Sequence, residues 1–316
     1  MLGAVLVICG VGGALLQSPN AVGAGGPNSS AIGWWFHPVE RNGFRRLPTV
    51  SVSLSGVHFA DANHGWAVSH SGAIVATRDG GSTWAEQPSG TTDPLLAVQF
   101  ADATHGWAVG GNGTVVATRD GGATWAAQRS GTTDQLQSVH FADGTRGWAV
   151  GAGGTIVATR DAGATWAAQS STTKEWLNDV HFADAAHGWA VGQSGTIVAT
   201  QDGGATWRAR TSGTTSGLKS VHFADTAHGW AVGEVGTIVA TRDAGATWSA
   251  QTSGAQETLW SVHFADATHG WAVGTGGVLL ATDDGGASWR PQSSGTTDPL
   301  WSVHFADAAH GCVVGR

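Results

Sequence analysis

Residues 223–248 read FADTAHGWAVGEVGTIVATRDAGATW, and close copies begin at Phe59, Phe100, Phe141, Phe182, Phe264 and Phe305, always 41 residues apart. Trp66, Trp107, Trp148, Trp189, Trp230 and Trp271 keep the same step, with Cys312 in the seventh place. Trp84, Trp125, Trp166, Trp207, Trp248 and Trp289 form a third series. A fixed period of this length marks a solenoid, a helical array or a propeller. Within one unit, short runs rich in β-branched and aromatic residues (259–265, 270–274, 278–282 and 288–292) alternate with Gly, Asp and Thr clusters. Four short strands per unit, with no helical periodicity, predict an all-β propeller blade.

The blade number follows from subtraction. Seven units of 41 residues leave 29 of the 316 residues, about the length of a leader and a linker. The seventh unit has only its first two strands before Gly315-Arg316. Residues 33–37 (GWWFH) and 44–47 (FRRL) fall roughly where a third and a fourth strand should precede Phe59. The expectation is a seven-bladed β-propeller over 33–316 whose last blade is closed by both termini, leaving no unpaired sheet edge at the seam.

Composition agrees with this class. Charged residues are only 12% against 41% hydrophobic, with 17 Trp, which is too apolar and aromatic for disorder. A net charge of −8 with two lysines, Lys174 and Lys219, argues against nucleic acid as partner. Cys9 and Cys312 make neither a disulfide framework nor a metal cluster. Residues 2–16 (LGAVLVICGVGGALL) followed by small residues at 21–24 have the form of a secretory signal cleaved near Ala24, with a linker over 25–32. Its removal would leave Cys312 alone, and so no internal disulfide.

Residues 77–84 read TRDGGSTW and recur as TRDGGATW, TRDAGATW, TQDGGATW, TRDAGATW and TDDGGASW. An Asp in such a turn accepts backbone N–H bonds, Gly supplies permissive dihedrals, and the Trp fills the space between sheets. The pattern resembles the Asp-box (BNR) repeat of sialidases, sortilin-like receptors and xyloglucanases. The longer unit, quoted above, resembles the repeat of the photosystem II stability/assembly factor family over about residues 30–316. That resemblance implies a seven-bladed propeller of the thylakoid lumen or the periplasmic side of bacterial membranes. It also implies a role in assembling the photosystem II reaction centre by binding a newly made subunit.

A residue present in every copy is expected to do one job repeatedly. Asp79, Asp120, Asp161, Asp202, Asp243 and Asp284 are therefore structural turn acids. Two histidine series, His58, His140, His181, His222, His263 and His304 and then His64, His105, His187, His228, His269 and His310, are interrupted by Gln99 and Arg146 respectively. Neither replacement suits a metal ligand, so structural hydrogen bonding is expected and no metal site or cofactor is assigned. Binding should lie where the copies differ, on the face carrying the second-to-third turns and the blade-to-blade loops. The candidates are Lys174, Glu175, Trp176, Lys219, Glu234, Glu257, Trp260 and Trp301, with Lys219, Trp260 and Trp301 ringing the channel mouth.

An enzyme is disfavoured. Tyr is absent, so the tyrosine nucleophile of sialidases has no counterpart, and Glu175, Asp179, Glu234 and Glu257 belong to separate units. The sequence points to an exported, monomeric, non-enzymatic scaffold binding a protein partner such as a membrane-complex subunit. The alternative is a carbohydrate-binding or glycoside-hydrolase-like Asp-box propeller using Trp176, Trp260 and Trp301 as sugar platforms.

Overall fold

The structure is a computed structural model describing residues 6–10, 32–35, 45–47, 54–305 and 311–315. Six four-stranded antiparallel sheets follow one another along the chain. The first blade comprises Leu54–Phe59, Gly65–Ser69, Ile74–Thr77 and Ala85–Gln87. The sixth comprises Leu259–Phe264, Gly270–Gly274, Leu279–Thr282 and Arg290–Pro291. The expected strands were longer at 265, 278 and 288–292. The outer strand is short because Trp289 is buried against the preceding blade instead of continuing the ladder.

Seven complete blades are not seen. The seventh sheet has two strands from the repeat, Leu300–Phe305 and Gly311–Gly315. Three N-terminal strands complete this sheet in the order Leu6–Gly10, Ile32–Trp35, Arg45–Leu47. The last two lie within a residue of 41 positions ahead of the first blade's third and fourth strands. Between them and the repeat, however, stands Leu6–Gly10, antiparallel to Gly311–Gly315 and parallel to Ile32–Trp35. Cys312 is disulfide-bonded, and its Cα partner in this register is Cys9. The expected absence of an internal disulfide was for a chain cut near Ala24; in the full chain Cys312 is bridged. The cleavage position near Ala24, the linker over 25–31, and Phe36, His37, Phe44 and His310 lie outside the described residues.

The core sits between blades, because both faces of each sheet must be covered. Phe100 stacks on Trp66 of the preceding blade with centroids 3.5 Å apart, and meets its own blade's Trp125 edge-on at 5.8 Å. Trp66, Val68, Ile74, Leu95, Val98 and Val116 complete that junction, and the same set recurs at the next. The opposite face of the Phe100 ring lies on Gly106, where any Cβ would collide with it. The glycine of this pair is therefore required by close approach in each unit, Gly311 of the Gly-Cys pair included.

Two polar devices tie the blades together. The indole of Trp66 donates to the Gly121 carbonyl in the next blade's Asp-box turn at 3.2 Å, and Trp107, Trp148, Trp189 and Trp230 do likewise. The Asp-box Trp is clasped by a glutamine of the preceding outer strand: Trp125 donates to Gln87, Trp166 to Gln128, Trp207 to Gln169 and Trp289 to Gln251. Arg210 stands where the fifth such glutamine belongs, and both its Nε and the Trp248 Nε1 are buried without a partner.

Candidate functional site: the channel and its mouth

The six-residue inner strands surround a cavity of about 790 Å³. Each described inner strand that pairs with its neighbour carries a register shift between its first and third residues, as between Leu259 and Ser261. A bulge re-aims the residue it frees. Here that residue is the variable one, Ser55, Leu96, Gln137, Asn178, Lys219, Trp260 or Trp301, and all seven line the cavity.

One arc of this rim is chemically distinct. Lys219 pairs with Glu234 at 2.8 Å and lies 5.4 Å from the Trp260 ring centroid. The Lys219 hydrogen bond holds the Glu234 carboxyl below its ordinary range. Trp260 donates to Thr275 Oγ1 at 3.0 Å and meets Trp301 edge-on, with centroids 5.1 Å apart. Glu234 and Thr275 both belong to second-to-third turns, so this arc lies at that end of the disc. Beside it Val235 is 66% exposed with φ 55°, a left-handed conformation costly for a β-branched residue.

The remaining candidates are not brought to the cavity. Trp176 is 38% exposed, with Lys174 and Glu175 exposed ahead of it. Lys174 lines a separate groove along the third blade and its flanking loops, and Glu175 accepts from Ser194. Glu257 is exposed and accepts the Gln256 N–H. These residues lie outside the Lys219–Trp260–Trp301 arc.

Asp179 has a role that sequence reasoning missed. It lines the cavity, accepting from Ser138 Oγ at 2.6 Å and from the N–H groups of Val180 and Val221, each at 2.9 Å. Burial pushes its carboxyl up despite these bonds. Ser220 and Ser261, at the same repeat position, accept the Val262 and Val303 N–H groups, so Asp179 performs an inter-blade job with a charged group. The available signal was an acid where neighbouring copies have Ser. Among the described residues lining the cavity it is the one carboxylate, so no carboxylate pair forms there.

Deeper in the wall, six imidazoles form a continuous arc. Ring centroids are 4.6 Å apart for His140–His181 and His181–His222, 4.3 Å for His222–His263, 4.7 Å for His263–His304 and 4.4 Å for His304–His58. His58 Nδ1 accepts the Phe100 N–H, and His222 Nδ1 accepts the Phe264 N–H, both at 3.3 Å. Gln99 does the same in its copy, accepting the Phe141 N–H at 2.8 Å and donating to the Phe141 carbonyl at 3.3 Å. The Nδ1 atoms of His140, His181, His263 and His304 are buried without a partner. An Nδ1 acceptor places the proton of a neutral ring on Nε2. Neither nitrogen of His58 or His222 then has a lone pair free for a metal, and no metal-holding cluster exists among the described residues.

The opposite end of the disc is uniform. In the second blade Asp120 accepts from the Thr124 N–H and hydroxyl and from Thr118 Oγ1, and these bonds hold its carboxyl down at about 2. Beside it His105 Nδ1 pairs with Asp102 at 2.9 Å, as His64, His187, His228 and His269 pair with Asp61, Asp184, Asp225 and Asp266. Burial raises the Asp102 carboxyl, but hydrogen bonds from Thr104 and His105 outweigh it and leave the group well below its ordinary range. Arg146 replaces histidine in one copy and reaches Asp143 at 2.6 Å. The Asp-box and first-to-second-turn carboxylates named here find their partners within their own turns.

The sequence profile of the photosynthesis system II assembly factor YCF48 matches residues 88–174, 165–251, 211–290 and 250–316. No curated protein matches the chain. A solved structure titled "YCF48 bound to D1 peptide" superposes with a TM-score of 0.69 at 21% identity, covering 85% of this chain and 94% of that one. YCF48 from Cyanidioschyzon merolae gives 0.68 at 20%, covering 84% and 95%. Both share the propeller fold with this chain. With its profile matched across most of the length, the chain belongs to the YCF48 family of photosystem II assembly factor-like BNR propellers.

Proposed function

We propose that this protein is a non-enzymatic scaffold that captures an extended segment of a protein partner at the channel mouth, a membrane-complex subunit being the partner class. The observation carrying this reading is the placement of Lys219, Glu234, Trp260 and Trp301 on one arc of the cavity rim. Large aromatic side chains bury much area with few rotors to freeze, and Val235 adds exposed apolar surface beside them. A related propeller holding a D1 peptide supports a peptide as occupant. Sugar stacking is the weaker reading, because the two indoles stand at 63° and present no shared platform.

Two further statements belong to this proposal. In this reading the two repeat strands Leu300–Phe305 and Gly311–Gly315 are the seventh blade of the ring, and the adjoining N-terminal strands support its completion from that end. The protein is exported and monomeric, working in a periplasmic, thylakoid-lumenal or extracellular space, as its family implies. The test is capture of a D1 peptide, and of subunits from a photosynthetic membrane fraction, by wild type and by Trp260→Ala/Trp301→Ala. Wild-type capture that falls at least tenfold in the variant, at unchanged melting temperature, is expected; equal capture by both would overturn the site.

A further inference from the structure

The histidine arc is not explained by partner capture at the mouth. It lies deeper in the wall, in copies otherwise free to use a neutral residue such as Gln99. We propose that the arc is an acid-sensitive fastener: His58 and His222 hold neighbouring inner strands together while the imidazoles are neutral, and the arc loosens the strands when it takes up protons. Two geometric facts carry this. Protonating His58 or His222 turns Nδ1 from acceptor into donor, facing the Phe100 or Phe264 N–H that it now receives. Each proton also places a positive ring 4.3–4.7 Å from the next imidazole.

The surroundings offer little compensation. The neighbouring inner strands present Gln99, which is neutral, and the hydroxyls of Ser138, Ser220 and Ser261. Lys219, the one lysine or arginine on the cavity wall among the described residues, is committed to Glu234, and His70, which also lines the cavity, bonds Ser55 Oγ at 3.1 Å. Asp179, two residues before His181, already accepts from Ser138, Val180 and Val221. Burial holds His140 and His304 down at about 4, and burial with the neighbouring imidazoles depresses His58, His181, His222 and His263.

The sign follows from linkage. An unfolded imidazole protonates near its ordinary value of about 6.5, before the folded one does, so stability falls as pH drops from about 6.5 to 4. Asp-box carboxyls held at about 2, such as Asp120, begin to cost stability only as pH falls below about 3.9, so the two windows separate. Asp179, raised by burial, works in the opposite direction and softens the fall.

The experiment measures urea unfolding and amide hydrogen exchange between pH 7 and 4.5, for wild type and for His58→Gln/His222→Gln. Gln99 shows that glutamine makes the same backbone bond. Complete passage from about 6.5 to 4 raises the wild-type unfolding constant on the order of a hundredfold for each of His140 and His304. Protection at the Phe100 and Phe264 amides should fall before protection at the Thr124 amide, which an Asp-box carboxylate holds. The double variant should lose at least tenfold less stability across the same range. Wild-type protection at Phe100 and Phe264 that tracks Thr124 at every pH would overturn the proposal. So would a double variant falling as steeply as wild type. If the variant failed to fold, the wild-type exchange order would decide alone.

Discussion

Arg210→Gln should stabilise the protein, and the repeat supplies its own controls. At four junctions a glutamine carbonyl accepts the Asp-box indole, at 3.0–3.4 Å. The other arm of Gln87, Gln128 and Gln251 donates to the next blade's turn carbonyl at 3.1–3.5 Å. At the fifth junction Arg210 Nε and Trp248 Nε1 are both buried without partners. The glutamine amides also pack over Gly122, Gly163, Gly204 and Gly286, whereas at Gly245 the nearest atoms belong to the Trp189 and Trp248 indoles. An unsatisfied buried polar group costs about 1–3 kcal/mol, and losing the packing of the Arg stem offsets part of the gain. A net stabilisation of about 1–2 kcal/mol is expected. It would appear as an increase of roughly 2–4 °C in Tm per kcal/mol, with the urea midpoint moving the same way at unchanged slope. The reciprocal variant Gln128→Arg should orphan Trp166 and lose a similar amount. An Arg210→Gln protein no more stable than wild type, beside a Gln128→Arg protein that loses nothing, would refute the clasp as a stabilising device.

Val235→Gly should gain about 1 kcal/mol in urea unfolding by relieving the left-handed strain, since Gly153 and Gly276 occupy the corresponding turn position; a loss would show that the valine packs more than its exposure suggests. Trp189→Ala should cost ~3–5 kcal/mol as a core truncation and leave per-molecule peptide capture unchanged at a temperature where it is folded. Asp179→Ser should gain on wild type as pH rises from about 4 to 7, because a carboxyl raised by burial favours the fold below about 3.9 and loses that advantage as it ionises; a constant difference across that range would remove the burial argument. Deleting 31–47 should lower Tm and promote aggregation by exposing a sheet edge, and equal melting of the two proteins would count against N-terminal completion of the last sheet.

The architecture was legible because its signal is repetition. The 41-residue step located every inner strand, and the Gly-Trp and Asp-box pairs separated scaffold from variable rim. Lys219, Trp260 and Trp301 could be placed together because the same repeat position must face the same channel. Inter-blade chemistry was harder to see. The Gln87–Trp125 clasp joins residues 38 apart, and the Asp179–Val221 bond residues 42 apart, so neither is visible inside one copy. The Arg210 irregularity and the Ser-to-Asp change at 179 stood in the sequence, but only contact geometry assigns them partners. Trp176, Lys174 and Glu175 were assigned to the same face as the mouth because their loop also varies, yet variation does not say how far from the axis a loop lies.

The Phe–Trp junction bears on how such a protein can change its size. Each of the six complete blades presents a Trp on one side and a Phe on the other, and these two surfaces fit each other at the six junctions from Trp66–Phe100 to Trp271–Phe305. A duplicated unit would therefore arrive with both of its interfaces already made, and a deleted one would leave two matching surfaces behind. Nothing in the junction counts blades; the tally depends on the angle that each contact imposes and on whether the circle closes. Gain or loss of a whole unit should consequently be tolerated more readily than the loss of one glycine within it.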